Sequence, residues 1–227
     1  MCVNNKNKTD FSFQQAVDRT REVLGEYNPR QVSLHSVLPA AVMILLVNRE
    51  EIPHLIFTRR TDTVETHKGQ ISFPGGVKDP QDKNLLDTAR RETLEEIGIQ
   101  PALIKDLGQL DDFFTVTDFV VTPFAGYIDT DFEYKINTRE VAQILEVPLS
   151  VFLQDNDFEI KKWEHQGAIY DVFFYHYQDQ VIWGATAYIL NRFIDTVFAY
   201  NPAPHAVFRD PRNDHYLREN FNRRSNK

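Results

Sequence analysis

One stretch, from Gly75 to Ile99, restricts the fold of this chain more than any other. Two adjacent glycines and a polar loop precede a segment whose apolar residues recur at helical spacing. At about 100° per residue, Glu92, Glu95 and Glu96 fall within about 100° of arc on one side of the predicted helix. The apolar residues lie roughly opposite, so the helix is expected to bury one side and to present three carboxylates on the other.

Clustered carboxylates repel one another, so a cation is their natural partner. Ligands that are all oxygen favour a hard ion, and the pattern therefore indicates Mg²⁺ (or Mn²⁺) rather than zinc. Adjacent glycines let the backbone come close to a ligand, and a carbonyl of Gly75 is a further candidate metal ligand. A helix side that only faces water is the alternative, because most charge runs are simply solvated.

The sequence around this helix resembles the Nudix box. That pattern is a glycine, five residues, a glutamate, seven residues, and then Arg-Glu-apolar-any-Glu-Glu-any-Gly-apolar. The positions that match as they stand are Gly76, Arg91, Glu92, Glu95, Glu96, Gly98 and Ile99. Three features differ: Asp82 replaces the first glutamate, the gap before Arg91 is one residue longer, and Thr93 fills an apolar position.

The resemblance implies the Nudix fold, an α/β/α sandwich with a mixed β-sheet, here with additional N- and C-terminal helices. It also implies a hydrolase that cleaves diphosphate bonds with a divalent metal ion bound to Glu92, Glu96 and Glu95. Nudix enzymes commonly use an acid from a later loop, and the equivalent region offers Glu140, although a helix-surface glutamate is the alternative. The candidate catalytic residues are Glu95 or Glu140 as general base, Glu92, and Arg91 as a residue that orients a glutamate.

A second motif precedes the box, over residues 58–76. It resembles the motif of a Nudix subgroup that hydrolyses coenzyme A: Leu-Leu-Thr-any-Arg-Ser, three residues, Arg, three residues, Gly, three residues, Phe-Pro-Gly-Gly. The positions in register are Thr58, Arg60, Gly69, Phe73, Pro74, Gly75 and Gly76. Thr61 replaces the serine, and Glu65 stands where the second arginine is expected, which reverses the charge. The resemblance implies hydrolysis of coenzyme A to 4'-phosphopantetheine and adenosine 3',5'-bisphosphate.

A group of basic residues lies in the same stretch of an otherwise acidic chain. Arginine can offer a phosphate a bidentate fork and lysine a point charge. The candidate substrate-binding residues are therefore Arg60, Arg59, His67, Lys68 and Gly76. Surface residues that only aid solubility are the alternative for the charged ones.

Three functional hypotheses follow. The first is a coenzyme A or acyl-CoA diphosphatase. The second is a Nudix diphosphatase that acts on ADP-ribose, a nucleotide sugar or another nucleoside diphosphate derivative, and Glu65 keeps this one open. The third is a non-catalytic binding module with the Nudix fold, which the presence of all three box glutamates disfavours.

Composition limits the partners of the chain. Its 227 residues are 42% hydrophobic, as in a globular protein, and the net charge of -8 argues against general binding of nucleic acid or anionic membranes. The single cysteine, Cys2, excludes an intrachain disulfide. Since neither a membrane-spanning apolar run nor a signal-peptide pattern is evident, we expect a cytoplasmic enzyme of a small diphosphate molecule. A homodimer is compatible with this expectation.

Hydrophobic periodicity divides the chain into an N-terminal helical extension packed on the domain (1–36), a Nudix domain (37–200) and a polar tail (201–227). Pro123 is expected to place its strand at a sheet edge or to mark a bulge. The acid pair Asp111-Asp112 is expected to face solvent, and contact with a metal ion is the alternative. The predicted elements are a helix over 11–27, strands over 40–47, 54–59, 69–73, 103–112 and 119–128, a turn or short helix and then a strand over 138–148, a hairpin over 158–177, and a strand end followed by a helix over 181–200.

Overall fold

The computed structural model describes residues 10–32, 37–61, 69–115, 119–165 and 168–206. Within these ranges, every helix is too short or too polar to cross a lipid bilayer. The α-helices are α1 (Phe13–Glu26), α2 (Leu85–Ile97) and α3 (Ala185–Phe198), and two short 3-10 helices cover Pro101–Leu103 and Leu149–Leu153. The strands are β1 (Leu38–Arg49), β2 (Ile52–Arg60), β3 (Ile71–Ser72), β4 (Gly75–Val77), β5 (Lys105–Gln109), β6 (Phe113–Phe114), β7 (Phe119–Ile128), β8 (Val141–Pro148), β9 (Phe158–His165), β10 (Ala168–Tyr177) and β11 (Gln180–Trp183).

The first eight strands form one mixed sheet. Its main order is β3-β2-β1-β7-β5, with β4 paired to β1, β6 to β7 and β8 to β2. β1 and β7 run parallel, and the other pairs are antiparallel. β9, β10 and β11 form a separate antiparallel sheet. The mixed sheet confirms the predicted fold class.

The central strand β1 is apolar on both sides because helices cover both faces of the sheet. Met43 and Leu45 belong to the core cluster that contains Ala89 of α2. Ile44 and Leu46, whose side chains alternate with these, belong to the cluster that contains residues of α1 and α3. The molecule is thus an α/β/α sandwich, with α2 alone on one face.

The N-terminal helix α1 is well defined at its start. Ser12 accepts a hydrogen bond from the backbone N–H of Gln15, and the Gln15 side chain accepts one from the backbone N–H of Ser12, which is a capping box. Phe13, Ala16 and Val17 are buried in the core shared with α3. The helix therefore packs on the domain, while the predicted division of the chain into three parts stays a prediction.

Of the two alternatives expected for Pro123, the edge strand is wrong, because β7 lies between β1 and β5. On one side Pro123 pairs with Val42 of β1. On the other side of β7, the pairing with β5 ends at Phe124 and the pairing with β6 begins at Val121. Pro123 lies in the gap between these two pairings. The neighbouring strand is interrupted where proline lacks an N–H. The strand predicted over 103–112 is therefore shorter, since only β5 forms within that range and residues 110–112 lie in the interruption.

The acid pair Asp111-Asp112 does not face solvent as expected. Asp111 accepts hydrogen bonds from the Tyr27 hydroxyl and from Nε of Arg30, both at 2.8 Å. Asp112 accepts one from the backbone N–H of Val32 at 2.8 Å. The two acids fasten the segment after α1 to the sheet, which is a structural role.

The second half of the chain follows the predicted elements. Residues 138–140 form a turn rather than a helix, and β8 follows it. β9 and β10 form the predicted hairpin, while the turn predicted at Gln166 and Gly167 lies outside the described residues. β11 and then α3 are the last strand and the last helix of the described residues.

Candidate active site

The helix α2 holds the three box glutamates in a fixed orientation. Asn84 caps its first turn by accepting the backbone N–H of Asp87 at 2.9 Å, and Gly98 ends it in the left-handed conformation, with φ of 77°. Thr93, at the apolar position of the box, is buried and donates its hydroxyl to the carbonyl of Ala89 at 2.7 Å. A threonine is tolerated there because its polar group is satisfied within the helix.

Glu96 is the most buried of the three glutamates, with 2% of its surface exposed. Oε2 lies 3.4 Å from the Thr58 hydroxyl, and Oε1 lies 3.9 Å from Nη1 of Arg60. Burial, and then the negative charge of Glu92, raise the pKa of Glu96 to about 8, although the positive charge of Arg60 opposes them. The positive charge around this carboxyl is therefore too small to stabilise its ionised form at neutral pH.

Glu92 lies against the strand β4. A Cβ on Gly76 would come within 2.4 Å of its carboxylate, so any larger residue would displace the Glu92 side chain. Pairing with β1, at Ala41, fixes Gly76 in place. Burial raises the pKa of Glu92, while Arg91 lowers it and the charges of Glu95 and Glu140 raise it further.

Arg91 links the acidic residues of the site. Its Nη1 donates to Glu92 at 2.9 Å and to Glu95 at 3.1 Å, and its Nη2 donates to the carbonyl of Val77 at 3.0 Å. Glu95 is the most exposed partner, with 54% of its side chain accessible. This geometry suits a residue that orients two box glutamates, and the catalytic roles assigned to Arg91, Glu92 and Glu95 stay predictions.

Asp82 is a site residue that the sequence motif marked only as a departure. It accepts Nε and Nη2 of Arg91, both at 3.0 Å, and the Thr88 hydroxyl at 2.9 Å. Hydrogen bonds from Arg91 lower the pKa of Asp82 to about 2, against the opposing effect of burial. Its place at the first acidic position of the box was the signal for this role.

The structure brings Glu140 to the cluster. It is exposed, in the turn before β8, and its carbonyl accepts the backbone N–H of Thr61 at 2.9 Å. The negative charge of Glu140 contributes to the raised pKa values of Glu92 and Glu96, behind burial in both cases, so it lies near both. Glu140 as general base stays a prediction.

The two adjacent arginines of β2 lie on opposite faces of the sheet. Arg60 shares a face with Thr58 and approaches Glu96, whereas Arg59 shares a face with Phe57, in the core on the α3 side. There the pKa of Asp179 is lowered mainly by a hydrogen bond with Gln180, and the positive charge of Arg59 contributes to the same shift. The structure therefore does not bring Arg59 to the acidic cluster. The other predicted binding residues, His67 and Lys68, lie outside the described residues, as does Glu65.

The acidic residues suit a hard divalent ion by their chemistry. Glu92 and Glu96 are neighbouring oxygen donors, and the negative charge of Glu92 helps to raise the pKa of Glu96. This excess negative charge favours a cation. The backbone of Gly75 also reaches Glu96, through a hydrogen bond that lowers the pKa of that carboxyl. In the described ranges, three or more acidic, histidine or cysteine side chains do not converge into a complete ligand set. Glu95 and the Gly75 carbonyl as metal ligands stay predictions.

Comparison with known proteins defines the class to which this site belongs. Residues 37–172 match the family model described as the NUDIX domain, which is more than half of the chain. The chain is 38% identical over 158 residues to an uncharacterized Nudix hydrolase NudL of Photorhabdus laumondii, covering 70% of this chain and 84% of that protein. A protein of the same name from Yersinia enterocolitica is 39% identical over 158 residues, covering 70% and 80%. The NUDIX domain of Shewanella oneidensis NrtR, solved in complex with ADP ribose, is similar in structure with a TM-score of 0.42 and 18% identity, covering 58% and 84%.

The fold and the site therefore define a hydrolase of pyrophosphate bonds. The chain belongs to the Nudix family, as its box predicted. Members of this family generally use a divalent metal ion such as Mg²⁺ and bind small diphosphate molecules. A non-catalytic binding module is thereby set aside in favour of an enzyme.

Proposed function

We propose that this Nudix hydrolase cleaves the diphosphate bond of coenzyme A or its acyl derivatives, to give 4'-phosphopantetheine and adenosine 3',5'-bisphosphate. The observation that carries the proposal is the position of Arg60. This residue belongs to the motif of the coenzyme A subgroup, and its guanidinium lies 3.9 Å from Glu96 of the box. The Arg60 side chain is 26% exposed, so part of it is accessible to a ligand. An accessible guanidinium beside a candidate metal-binding glutamate suits a substrate phosphate.

A diphosphate repels an attacking oxygen because it is polyanionic, so positive charge already in place lowers the barrier. In our proposal Arg60 binds a phosphate oxygen, and Arg91 keeps Glu92 and Glu95 in position. Glu92 and Glu96, with Glu95 and the Gly75 carbonyl as further ligands, would hold a divalent ion, which when bound would supply Lewis-acid polarisation and a more acidic water. Glu140 or Glu95 accepts the proton of the attacking water.

One observation favours a second candidate, a Nudix diphosphatase of ADP-ribose or a nucleotide sugar. Glu65 stands where the coenzyme A subgroup has an arginine. If that arginine grips a substrate phosphate, the reversed charge disfavours the same contact in this chain. His67 or Lys68 could then take over the contact, and in that case the coenzyme A activity is retained.

Measurement of kcat/KM for a substrate panel separates the two. The purified chain is incubated with Mg²⁺ and, in turn, coenzyme A, acetyl-CoA, ADP-ribose, a nucleotide sugar and a dinucleoside polyphosphate. Release of phosphopantetheine as the fastest reaction supports the proposal, whereas faster release of AMP from ADP-ribose selects the alternative. Glu92→Gln should abolish turnover, and Glu164→Gln, an exposed glutamate on β9, should not.

A further inference from the structure

The buried carboxylate of Glu96 meets a hydroxyl group of the sheet. Oγ1 of Thr58, on β2, lies 3.4 Å from Oε2 of Glu96 and donates a hydrogen bond to it. Thr58 is 0% exposed and Glu96 is 2% exposed. Because threonine is branched at Cβ and this side chain is enclosed by its neighbours, its oxygen has little freedom to move. The contact is thus built into the packing of β2 against α2.

The hydroxyl of Thr58 has one proton and, among the described residues, three oxygens within reach. Two of them belong to Ser72, the cross-strand partner of Thr58 on β3, whose carbonyl and hydroxyl oxygens both lie at 3.5 Å. The third is Oε2 of Glu96. An ionised carboxylate is a stronger acceptor than a neutral oxygen, so Thr58 donates to Glu96 whenever Glu96 carries its charge. The Ser72 hydroxyl can then donate to Thr58 in turn.

The strand β2 contacts both oxygens of the Glu96 carboxylate. Oε1 lies 3.9 Å from Nη1 of Arg60, and Oε2 accepts the hydrogen bond from Thr58. Thr58 and Arg60 are two residues apart on the strand, so their side chains share the face that packs on α2. Each carboxylate oxygen has two lone pairs, so one contact at each oxygen leaves a lone pair for a cation. β2 therefore fixes the orientation of the carboxylate without using up its capacity to bind an ion.

We propose that Thr58 is a positioning residue, which orients the Glu96 carboxylate for a divalent ion. The inference rests on the proposed function, in which Glu96 is a metal ligand, and deepens it. Thr58 is fully buried, so it acts through Glu96 and not by contact with the substrate. Loss of a hydrogen-bonding partner that orients a metal-binding side chain typically weakens metal binding by about tenfold to a hundredfold. Thr58→Val keeps the shape of the side chain and removes the donor, so it isolates this effect.

Titration of the full chain with Mn²⁺, in which electron paramagnetic resonance measures the free ion, tests the inference without any substrate. Thr58→Val should raise the Kd for Mn²⁺ about tenfold, whereas Thr58→Ser keeps the hydroxyl and should stay within about threefold of the parent. Thr20→Val is the matched control. Thr20 is also 0% exposed and donates its hydroxyl to the carbonyl of Ala16 at 2.7 Å, but it lies on α1, across the sheet from α2. It should keep the parental Kd.

A second pair of variants keeps the test decisive if Thr58→Val does not fold. Thr58→Ala and Thr58→Ser both lose the methyl group, but only Thr58→Ala loses the hydroxyl, so its Kd for Mn²⁺ should be about tenfold higher. An equal Kd in these two variants would overturn the inference. So would a Thr58→Val protein with a lowered thermal midpoint and the parental Kd, because the hydroxyl would then serve stability alone.

The inference and the proposed function fail in different ways. If Glu96→Gln weakens Mn²⁺ binding and Thr58→Val does not, the inference is wrong and the proposed function stands. If Glu96→Gln binds Mn²⁺ as the parent does, Glu96 is not a metal ligand, and this part of the proposed function fails together with the inference. If the Kd values change as expected but the parent does not hydrolyse coenzyme A, only the proposed substrate is wrong.

Discussion

Arg91 and Asp82 are joined by two hydrogen bonds of 3.0 Å across the loop that leads into α2. The Asp82 side chain is 5% exposed and the Arg91 side chain 21% exposed, so removal of one charge leaves the other poorly solvated. We expect Asp82→Asn to lower the free energy of unfolding by about 3 kcal/mol. It should also lower kcat, since Arg91 then loses the partner that aims it at Glu92. Urea unfolding measures the first effect, and Asp131→Asn, an exposed acid, is the control.

The same pair predicts an acid-dependent loss of stability. The folded pKa of Asp82 is about 2, below the value of about 3.9 for an unfolded aspartate. The contribution of Asp82 to the free energy of unfolding is therefore fully present above about pH 4 and is lost as the pH falls through 2. In urea titrations over this range, Asp82→Asn should show a smaller loss of stability than the parent. An equal loss of stability in the parent and in Asp82→Asn would contradict the prediction that this pair causes the acid dependence.

Gly76→Ala should damage the site without unfolding the protein. Its Cβ would lie 2.4 Å from the Glu92 carboxylate, which must turn away. Because a misplacement of about 1 Å can cost about a hundredfold in rate, we expect kcat to fall by that order. Gly25→Ala is the control, since no heavy atom of the described residues lies within 4 Å of the new methyl group. An unchanged kcat in Gly76→Ala would show that catalysis does not require the Glu92 carboxylate to stay where the structure places it.

Arg60 and Arg59 offer an internal comparison, because neighbours on one strand face opposite sides of the sheet. Arg60→Gln should raise KM about tenfold or more for a diphosphate substrate, since a charge-assisted contact with phosphate is lost. Arg59→Gln should change KM by less than about twofold, because Arg59 lies on the side of Phe57. Steady-state kinetics for both variants decide the matter. A larger effect at Arg59 would restore the prediction that both arginines bind substrate.

The sequence could predict α2 and its acidic side, because the Nudix box fixes spacing within one helix. Alternation of side chains along β2 also places Arg59 and Arg60 on opposite faces, although both were predicted to bind substrate because of their charge. The partners of Asp111 were not predictable, since Tyr27 and Arg30 are distant in the chain and meet it only after folding. Nor did periodicity reveal the interruption beside Pro123, which depends on a gap between two other strands.

Glu96 should make the stability of the metal-free protein fall as the pH rises. Its folded pKa of about 8 lies above the unfolded value of about 4.3, so between these values the folded state binds more protons. Thermal unfolding in a chelator, from pH 5 to pH 8, should show this loss in the parent and a smaller one in Glu96→Gln. Glu164→Gln, an exposed acid on β9, should behave as the parent. Mg²⁺ should raise the parental unfolding temperature, and more so at pH 8 than at pH 5, because it competes with the proton.

Glu140 and Glu95 differ in how free their carboxylates are to accept a proton. Glu95 accepts a hydrogen bond from Arg91 at 3.1 Å. Glu140 lies near both Glu92 and Glu96. Among the side-chain hydrogen bonds described for Glu140 there is a single longer one, from the Asn137 side chain at 3.3 Å. We therefore predict that Glu140→Gln lowers kcat by about a hundredfold or more, with little change in KM, and that Glu95→Gln lowers it less.

Rapid-quench measurement of a single turnover tests the chemical step directly. Glu133→Gln, an exposed glutamate in the segment before the Glu140 turn, controls for the loss of one negative charge and should keep the parental rate. If Glu95→Gln is the slower variant, Glu95 is the base and Arg91 must release it during turnover. The geometry then predicts that Arg91→Lys, which cannot hold Asp82, Glu92 and Glu95 together, slows the same step by disordering Glu92.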